Sequence, residues 1–328
     1  MKEINDNLLY AYGRNDELHL TILPTENCNF RCTYCYEKHI NNMMTNDVIM
    51  SILKFLQKRG PEISFLTLSW FGGEPLLGFK VIKQIMSYIN DEMPHPKNFR
   101  FASGMTTNGY LLNKGRLNDL VSLGVRGYQI SLDGDIDMHD KFRVLIGNLP
   151  TFNVIYNNLI GAHRTDLNFN FRVRLHVNKN NYESLSKLIS RLRNDLDGDE
   201  RYVLFIRNLS RLGGPNDKNL PVIEENDESV VKLANMAKNL GFKVDTLQDA
   251  DRYVCYASRL NGFTIMPDGR LVRCTVALYD EKNIIGKLNT DGSLDIDREK
   301  ALWWSRGLFS GNPDELACPL RTMSVPHK

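Results

Sequence analysis

Over its first two-thirds the chain alternates short apolar runs with amphipathic runs of helical period, and most apolar runs stop at a turn-forming string. His19 to Pro24 (HLTILP) reads as a strand and leads into a loop bearing cysteines. Asn46 to Arg59 reads as a helix: Val48, Ile49, Ile52, Leu53, Phe55 and Leu56 share one side, Thr45 is the N-cap and Gly60-Pro61 the stop. Further strands are predicted over Ile63 to Phe71, Arg100 to Thr107, Gly127 to Leu132, Phe169 to Val177 and Tyr202 to Ile206. Helices are predicted over about Phe79 to Glu92, Lys114 to Leu123, Phe152 to His163, Tyr182 to Leu196 and Glu228 to Leu240, with a polar loop before Phe152. Six strand–helix units of this kind imply right-handed crossovers and a parallel sheet, open or closed into a barrel.

The strings that end the strands are the chemically loaded ones. The cysteine loop, Gly72-Gly73-Glu74-Pro75, Asn108-Gly109 and Ser131-Leu132-Asp133-Gly134 all follow strands. In a parallel barrel they share the C-terminal rim, where active sites sit. Arg211 to Asn226 is rich in Gly, Pro, Asn and charge and reads as a loop at a domain boundary; we expect a core over 1–222 and a smaller unit over 223–328. The last 75 residues carry a hairpin, Phe263 to Met266 and Leu271 to Arg273, turning at Asp268-Gly269. A second strand pair spans Ile284 to Ile296, and a short helix carries Trp303 and Trp304, whose packing against the body is the plainer reading over a substrate groove.

Cys28, Cys32 and Cys35 lie in the string CNFRCTYCYE, with spacing Cys-x3-Cys-x2-Cys. Three thiolates so close in sequence can hold three irons of a cubane cluster and leave the fourth iron open to a small molecule. S-adenosylmethionine (SAM) fits that position, because its amino and carboxylate groups can chelate iron. A zinc site completed by His39 and a redox pair are the competing readings; zinc sites more often use four ligands in paired knuckles. The sequence shows neither a signal peptide nor an apolar run long enough to span a bilayer, so a cytoplasmic enzyme with reduced thiols is expected. A formal net charge of +2 gives no reason to expect nucleic acid or an anionic membrane as partner.

CNFRCTYCYE, WFGGEPLL, TTNG, SLDG and HDKFR occur in that order, and together they closely resemble the radical SAM superfamily, in its branch with a SPASM or Twitch C-terminal extension. The resemblance covers nearly the whole chain. It implies an α/β fold with a partial (β/α)6 barrel and a small auxiliary-cluster domain. It implies that Gly72, Gly73 and Glu74 hold the methionyl amino group, that Tyr34 lies beside the adenine, that Ser131 contacts the ribose or carboxylate, and that Arg143 pairs with the SAM carboxylate. Against these stand a tight turn with a helix cap at Glu74 and a solvated surface charge at Arg143. Asn108 faces SAM or only forms a turn; Asp133 is a catalytic candidate or the turn partner of Gly134.

By the same resemblance Cys255, Cys274 and Cys318 ligate an auxiliary cluster, for two 4Fe–4S clusters in all; three buried structural cysteines are the alternative. A complete SPASM extension has more cysteines than this chain has left, and Glu315 occupies the place of a Cys-x2-Cys partner to Cys318. A single auxiliary cluster of Twitch type follows, its fourth iron open to substrate or held by a ligand other than cysteine, with Glu315 and His327 as candidates and solvated positions as their plainer reading. The resemblance implies a maturase of ribosomally made peptides that installs an oxidative cross-link, carbon–carbon or thioether. A peptide epimerase, or a Twitch-type enzyme oxidising a small molecule, is the alternative. The implied partners are a precursor peptide and an electron donor such as flavodoxin or ferredoxin. About 17 residues precede the first strand, too few for a fused leader-binding domain, so a separate leader-recognition protein is a further candidate partner.

Overall fold

A computed structural model describes residues 13–224, 227–245 and 254–320. The parallel strands are β1 (Glu17–Ile22), β2 (Phe65–Trp70), β3 (Arg100–Thr106), β4 (Val125–Ser131), β5 (Asn170–Val177), β6 (Tyr202–Asn208) and β7 (Lys243–Asp245). Between them run helices α1 (Asn46–Arg59), α2 (Phe79–Asp91), α3 (Lys114–Ser122), α4 (Ile136–Phe142), α5 (Phe152–His163), α6 (Tyr182–Leu196) and α7 (Ser229–Asn239). The C-terminal part holds β8 (Gly262–Ile265), β9 (Arg270–Val272), β10 (Ile284–Leu288) and β11 (Leu294–Ile296), then α8 (Arg298–Trp304), α9 (Gly307–Ser310) and α10 (Pro313–Ala317).

Among the described residues all the strands join one sheet, in the order β11-β10-β9-β8-β1-β2-β3-β4-β5-β6-β7. From β1 to β7 spatial order follows sequence order, so right-handed crossovers lay the helices on one face. Residue alternation agrees. Leu18, Leu20 and Ile22 of β1, Leu66, Leu68 and Trp70 of β2, and Phe171, Val173, Leu175 and Val177 of β5 are buried on the helix side. Each fully buried aliphatic side chain there contributes about 1.5–3 kcal/mol. The other face carries Thr21, Ser69, Gln129, Ser131, Arg174 and His176 and forms the inner wall of an open, partial barrel.

α1 has the predicted bounds; the Thr45 hydroxyl accepts from the Val48 N–H, and Ile49, Ile52, Phe55 and Leu56 are buried. Two features differ from the sequence reading. The stretch after Gly134 is not a plain loop: it holds α4, too short for its apolar residues to show a period, with a buried histidine, His139, in place of an apolar stripe. And the predicted C-terminal hairpin, present as β8 and β9, joins the barrel sheet, a pairing that no local pattern had shown. β8 pairs parallel with β1 (His19↔Gly262 to Ile22↔Ile265), and the ladder is extended by His19 N–H to Asn261 O (2.9 Å) and Leu23 N–H to Ile265 O (3.0 Å). β9, β10 and β11 follow antiparallel. Past position 222, α7 packs on α6 and β6, and β7 pairs with β6.

Candidate active site on the barrel rim

The loop after β1 folds back over the strand ends and is clamped from several sides. The Arg31 guanidinium donates to the carbonyls of Cys28 (2.8 Å) and Phe30 (2.6 Å), which winds the loop on itself. Backbone bonds from Arg31 N to Val144 O (2.8 Å) and Thr33 N to Phe142 O (2.9 Å) tie it to the end of α4. Asn216 donates to Thr33 O (3.2 Å) from the loop after β6. Gly72 and Gly73 serve close approach of backbone to backbone: a Cβ on Gly73 would stand 2.6 Å from the Glu26 carbonyl oxygen and nearer still to that of Asn27.

Glu74 is fully buried, and its carboxylate accepts from Leu76 N–H (3.0 Å), Thr107 Oγ1 (2.7 Å) and Asn108 N–H (2.7 Å). It thus caps the turn at Pro75 and fastens the ends of β2 and β3 together. Burial pushes its carboxyl above the usual range, and the three hydrogen bonds oppose that push. An ionised carboxylate offers about four lone-pair sites, so one is left for a further donor. Asn108 forms a turn through Tyr110 N–H to its Oδ1 (3.0 Å), and its Nδ2 reaches Asn29 Oδ1 (2.8 Å) beside Cys28.

At the end of β4 a polar network closes around Asp133, which is 1% exposed. Its carboxylate accepts from the Tyr34 hydroxyl and from His176 Nδ1 (3.0 Å). The Tyr34 hydroxyl in turn accepts from Arg143 Nη1 (2.7 Å). Burial acts to raise the Asp133 carboxyl, but His176 and Arg143 outweigh it and hold the group well below the usual carboxylate range. Arg143 is 6% exposed, so the surface reading fails there, and its Nε is buried with no partner among the described residues. The Ser131 hydroxyl accepts from Arg174 Nε (2.9 Å). His139 accepts from the Asp133 N–H at Nδ1 (3.3 Å) and meets Thr151 Oγ1 at Nε2 (3.1 Å), while Thr151 Oγ1 donates to the Arg143 carbonyl (2.6 Å). His139 thereby joins the Asp133 loop to Arg143. Cys32, Tyr34, Tyr36 and Arg174 are hemmed in by several elements yet keep part of their surface open, as the wall of an internal cleft does.

All six cysteines are free thiols. Burial pushes the three in the loop upward, Cys35 to about 12; at Cys32 the cations of Arg143 and Arg174 oppose that push. His39 Nε2 stands 3.3 Å from Cys35 Sγ. Cys274 and Cys318 both act on the Cys255 thiol electrostatically, adding to the push of burial. Their neighbours are bonded: Cys255 N–H to Leu316 O (2.8 Å), and the Tyr256 hydroxyl to Thr275 Oγ1 (2.7 Å). Four of the six sulfurs, those of Cys28, Cys35, Cys255 and Cys274, face the backbone N–H two residues on. Amides aimed at sulfur suit thiolates that carry a cluster. The unpartnered Arg143 Nε suits an anionic group beside the loop. Both sets of residues therefore fit iron–sulfur ligation. Among the described residues no three His, Cys, Asp or Glu side chains are grouped to hold one metal ion; the ligands of a cubane stand further apart than that. The Glu315 carboxylate is engaged by Arg306 Nε (2.9 Å) and the Ser310 hydroxyl (2.6 Å), and His327 lies outside the described residues. Trp304 is buried and donates to Lys282 O (3.0 Å), and Arg306 lies over the Trp303 ring, so both tryptophans pack against the body.

The sequence reading missed His176 and Arg174. A signal was present: in β5 they alternate with the buried Val173, Leu175 and Val177, which marks them as facing the barrel interior.

No helix among the described residues is long and apolar enough to cross a membrane. Residues 22–171 match the family model of the radical SAM superfamily. The cysteine-type anaerobic sulfatase-maturating enzyme of Clostridium novyi (strain NT) is 27% identical over 216 residues, which are 61% of this chain and 54% of that protein; the chain spans about half the length of this relative. The structure of native anSMEcpe with bound AdoMet and Cp18Cys peptide superposes with a TM-score of 0.66 at 18% identity, covering 87% of this chain and 80% of that one. Streptococcus suis SuiB bound to precursor peptide SuiA gives a TM-score of 0.57 at 15% identity, covering 92% and 68%. At such identities the superpositions establish the fold. The match over residues 22–171 encloses the cysteine loop, the Gly72-Gly73-Glu74 turn and the rim network, so that this part of the chain is a radical SAM domain.

Proposed function

We propose that the chain is a peptide maturase that removes hydrogen from a ribosomally made precursor and installs an oxidative cross-link, carbon–carbon or thioether. The observation that carries this reading is the pair of separate cysteine trios, one on the barrel rim and one in the C-terminal part, each with backbone amides facing sulfur. A cross-link removes two hydrogens and needs an electron sink, which a second cluster supplies. The structural likeness to peptide-bound anSMEcpe and SuiB supports a peptide as substrate. Bound at the first trio, a 4Fe–4S cluster and SAM supply a 5′-deoxyadenosyl radical.

The chain's own residues then have these roles. Cys28, Cys32 and Cys35 hold the first cluster; Cys255, Cys274 and Cys318 hold a Twitch-type auxiliary one. Glu74 takes the methionyl ammonium on its remaining lone pair, with the Gly72-Gly73 turn and Asn108 fixing its place. Arg143 meets the SAM carboxylate, Ser131 the ribose or carboxylate, and Tyr34 flanks the adenine while its hydroxyl is tied down by Asp133 and Arg143. Asp133 holds the rim together and orients its neighbours toward the substrate. We also propose the division at 222/223, with α7 and β7 packing on the core side. A flavodoxin or ferredoxin is the proposed electron donor, and a separate protein the proposed leader reader.

The test begins with anaerobic reconstitution, which should yield about eight irons per chain, halved when Cys28, Cys32 and Cys35 are replaced by Ala. One zinc and no iron would sink the reading. With SAM, a strong reductant and the short peptide from a neighbouring reading frame, the peptide mass should fall by two hydrogens. Deuterium taken up from heavy water with no hydrogen lost would show epimerisation in place of cross-linking.

A further inference from the structure

We propose that His176, oriented by Asp133, is the base that takes the proton released when the substrate radical is oxidised to the cross-linked product. This rests on the maturase reading above and adds to it a residue with a defined task. His176 lies near the end of β5, in register with Arg207 of β6, on the inner wall of the barrel. Its Nδ1 is 3.0 Å from Asp133 Oδ1. An ionised carboxylate only accepts, so the imidazole proton sits on Nδ1 and Nε2 carries a bare lone pair. Among the described residues no hydrogen bond reaches Nε2, and 11% of the side chain remains exposed.

The pair is rigidly held. Asn181 Nδ2 donates both to Asp133 O (3.0 Å) and to His176 O (2.7 Å), clamping the two backbones together. The Tyr34 ring packs edge-on against the imidazole, with centroids 5.3 Å apart. Asp133 is fixed further by the Tyr34 hydroxyl and by His139. This is the arrangement by which a carboxylate sets tautomer and orientation of a general base. The charged groups facing His176 are Asp133, Arg174 and Arg207. Burial and Arg174 lower its imidazolium to about 4, so the ring is neutral at pH 7 and ready to accept. A weak base suffices, because the proton leaves a group that is losing an electron at the same time.

The balance is simple. With a cluster and SAM bound at the first cysteine trio, the radical they would supply would take one hydrogen atom from the first residue of the peptide. The carbon radical bonds to the second residue. One electron then passes to an acceptor of iron–sulfur class and one proton to His176 Nε2, so two hydrogens leave the peptide for one bond formed.

Two measurements test this. In cluster-free protein labelled with 15N-histidine, two-bond 1H–15N NMR at pH 7 should show the His176 ring neutral and protonated at Nδ1, its signal assigned by loss in His176→Asn. A ring protonated at Nε2, or on both nitrogens, overturns the proposal. His176→Asn keeps an N–H donor for Asp133 but has no base, so in the reconstituted enzyme product formed per 5′-deoxyadenosine released should fall about 100-fold. An unchanged ratio, or product and 5′-deoxyadenosine falling in step, shows a positioning role only and also overturns it. If wild-type enzyme takes no hydrogens from the peptide, the maturase reading fails and the base with it; if wild type works and the variant ratio holds, only the base assignment fails.

Discussion

Single residues on the rim serve both fold and chemistry, and their substitutions separate the two. Gly73 has no room for a methyl group between the Glu26 and Asn27 carbonyls, and neither backbone can yield without moving the cysteine loop. Gly73→Ala should therefore lower the iron bound after reconstitution toward half, leaving the C-terminal trio loaded. A methyl group on Gly161 of α5 would meet nothing within 4 Å, so Gly161→Ala should leave iron content alone and stabilise by about 0.5–1 kcal/mol. Iron assay and thermal melts of both variants check the pair. Glu74 can be tested without SAM. Glu74→Gln sets an amide N–H against one of three buried donors, so cluster-free protein should lose about 1–3 kcal/mol of stability in urea. An unchanged midpoint would mean that the carboxylate is not built into the fold.

At the scale of elements, the helix-side layer is held by apolar burial and by a few polar ties between loops at the far ends of the strands. Arg201 is the main one there. It donates to the carbonyls of Thr165 (2.6 Å), Leu167 (3.0 Å) and His163 (2.9 Å) and to Asp199 (2.6 Å), joining the loop after α5 to the loop before β6. Burial works against the Asp199 charge, but bonds from Arg201 and His163 more than offset it and lower the carboxyl from 3.8 to about 2. A depressed carboxyl stabilises the fold above its unfolded value and ceases to do so as pH falls through the folded one. Asp199 should thus contribute about 2 kcal/mol at neutral pH, lost between roughly pH 4 and pH 2. Denaturant titrations of wild type and Asp199→Asn across that window should converge at its acid end.

For the whole molecule, the decisive contact is β1 with β8. It makes the C-terminal part a continuation of the barrel sheet and sets the second cysteine trio beside the rim, close enough for Tyr36 to feel both Cys35 and Cys274. Ending the chain after Asp245 would strip β1 of a paired edge and remove Phe263 and Ile265 from the core. Such a truncation should aggregate and lose its cooperative thermal transition, while the full chain unfolds in one step. A monomeric truncation with an unchanged midpoint would show that the two parts fold independently.

The alternation of strands and helices was legible along the chain, because apolar period and turn residues are local; α1, α5 and α6 fall on their predicted bounds. So were the three-cysteine string and the turn strings that the fold gathers on one rim. Which side chains meet was settled by packing in three dimensions. That Arg143 is buried with Tyr34 and Asp133, that Glu74 spends three bonds on its neighbours, and that His176 reaches Asp133 across 43 positions follow from sheet register, which no local pattern encodes. The same holds for α4, whose buried residue is His139, and for β8, a hairpin arm that also pairs with β1.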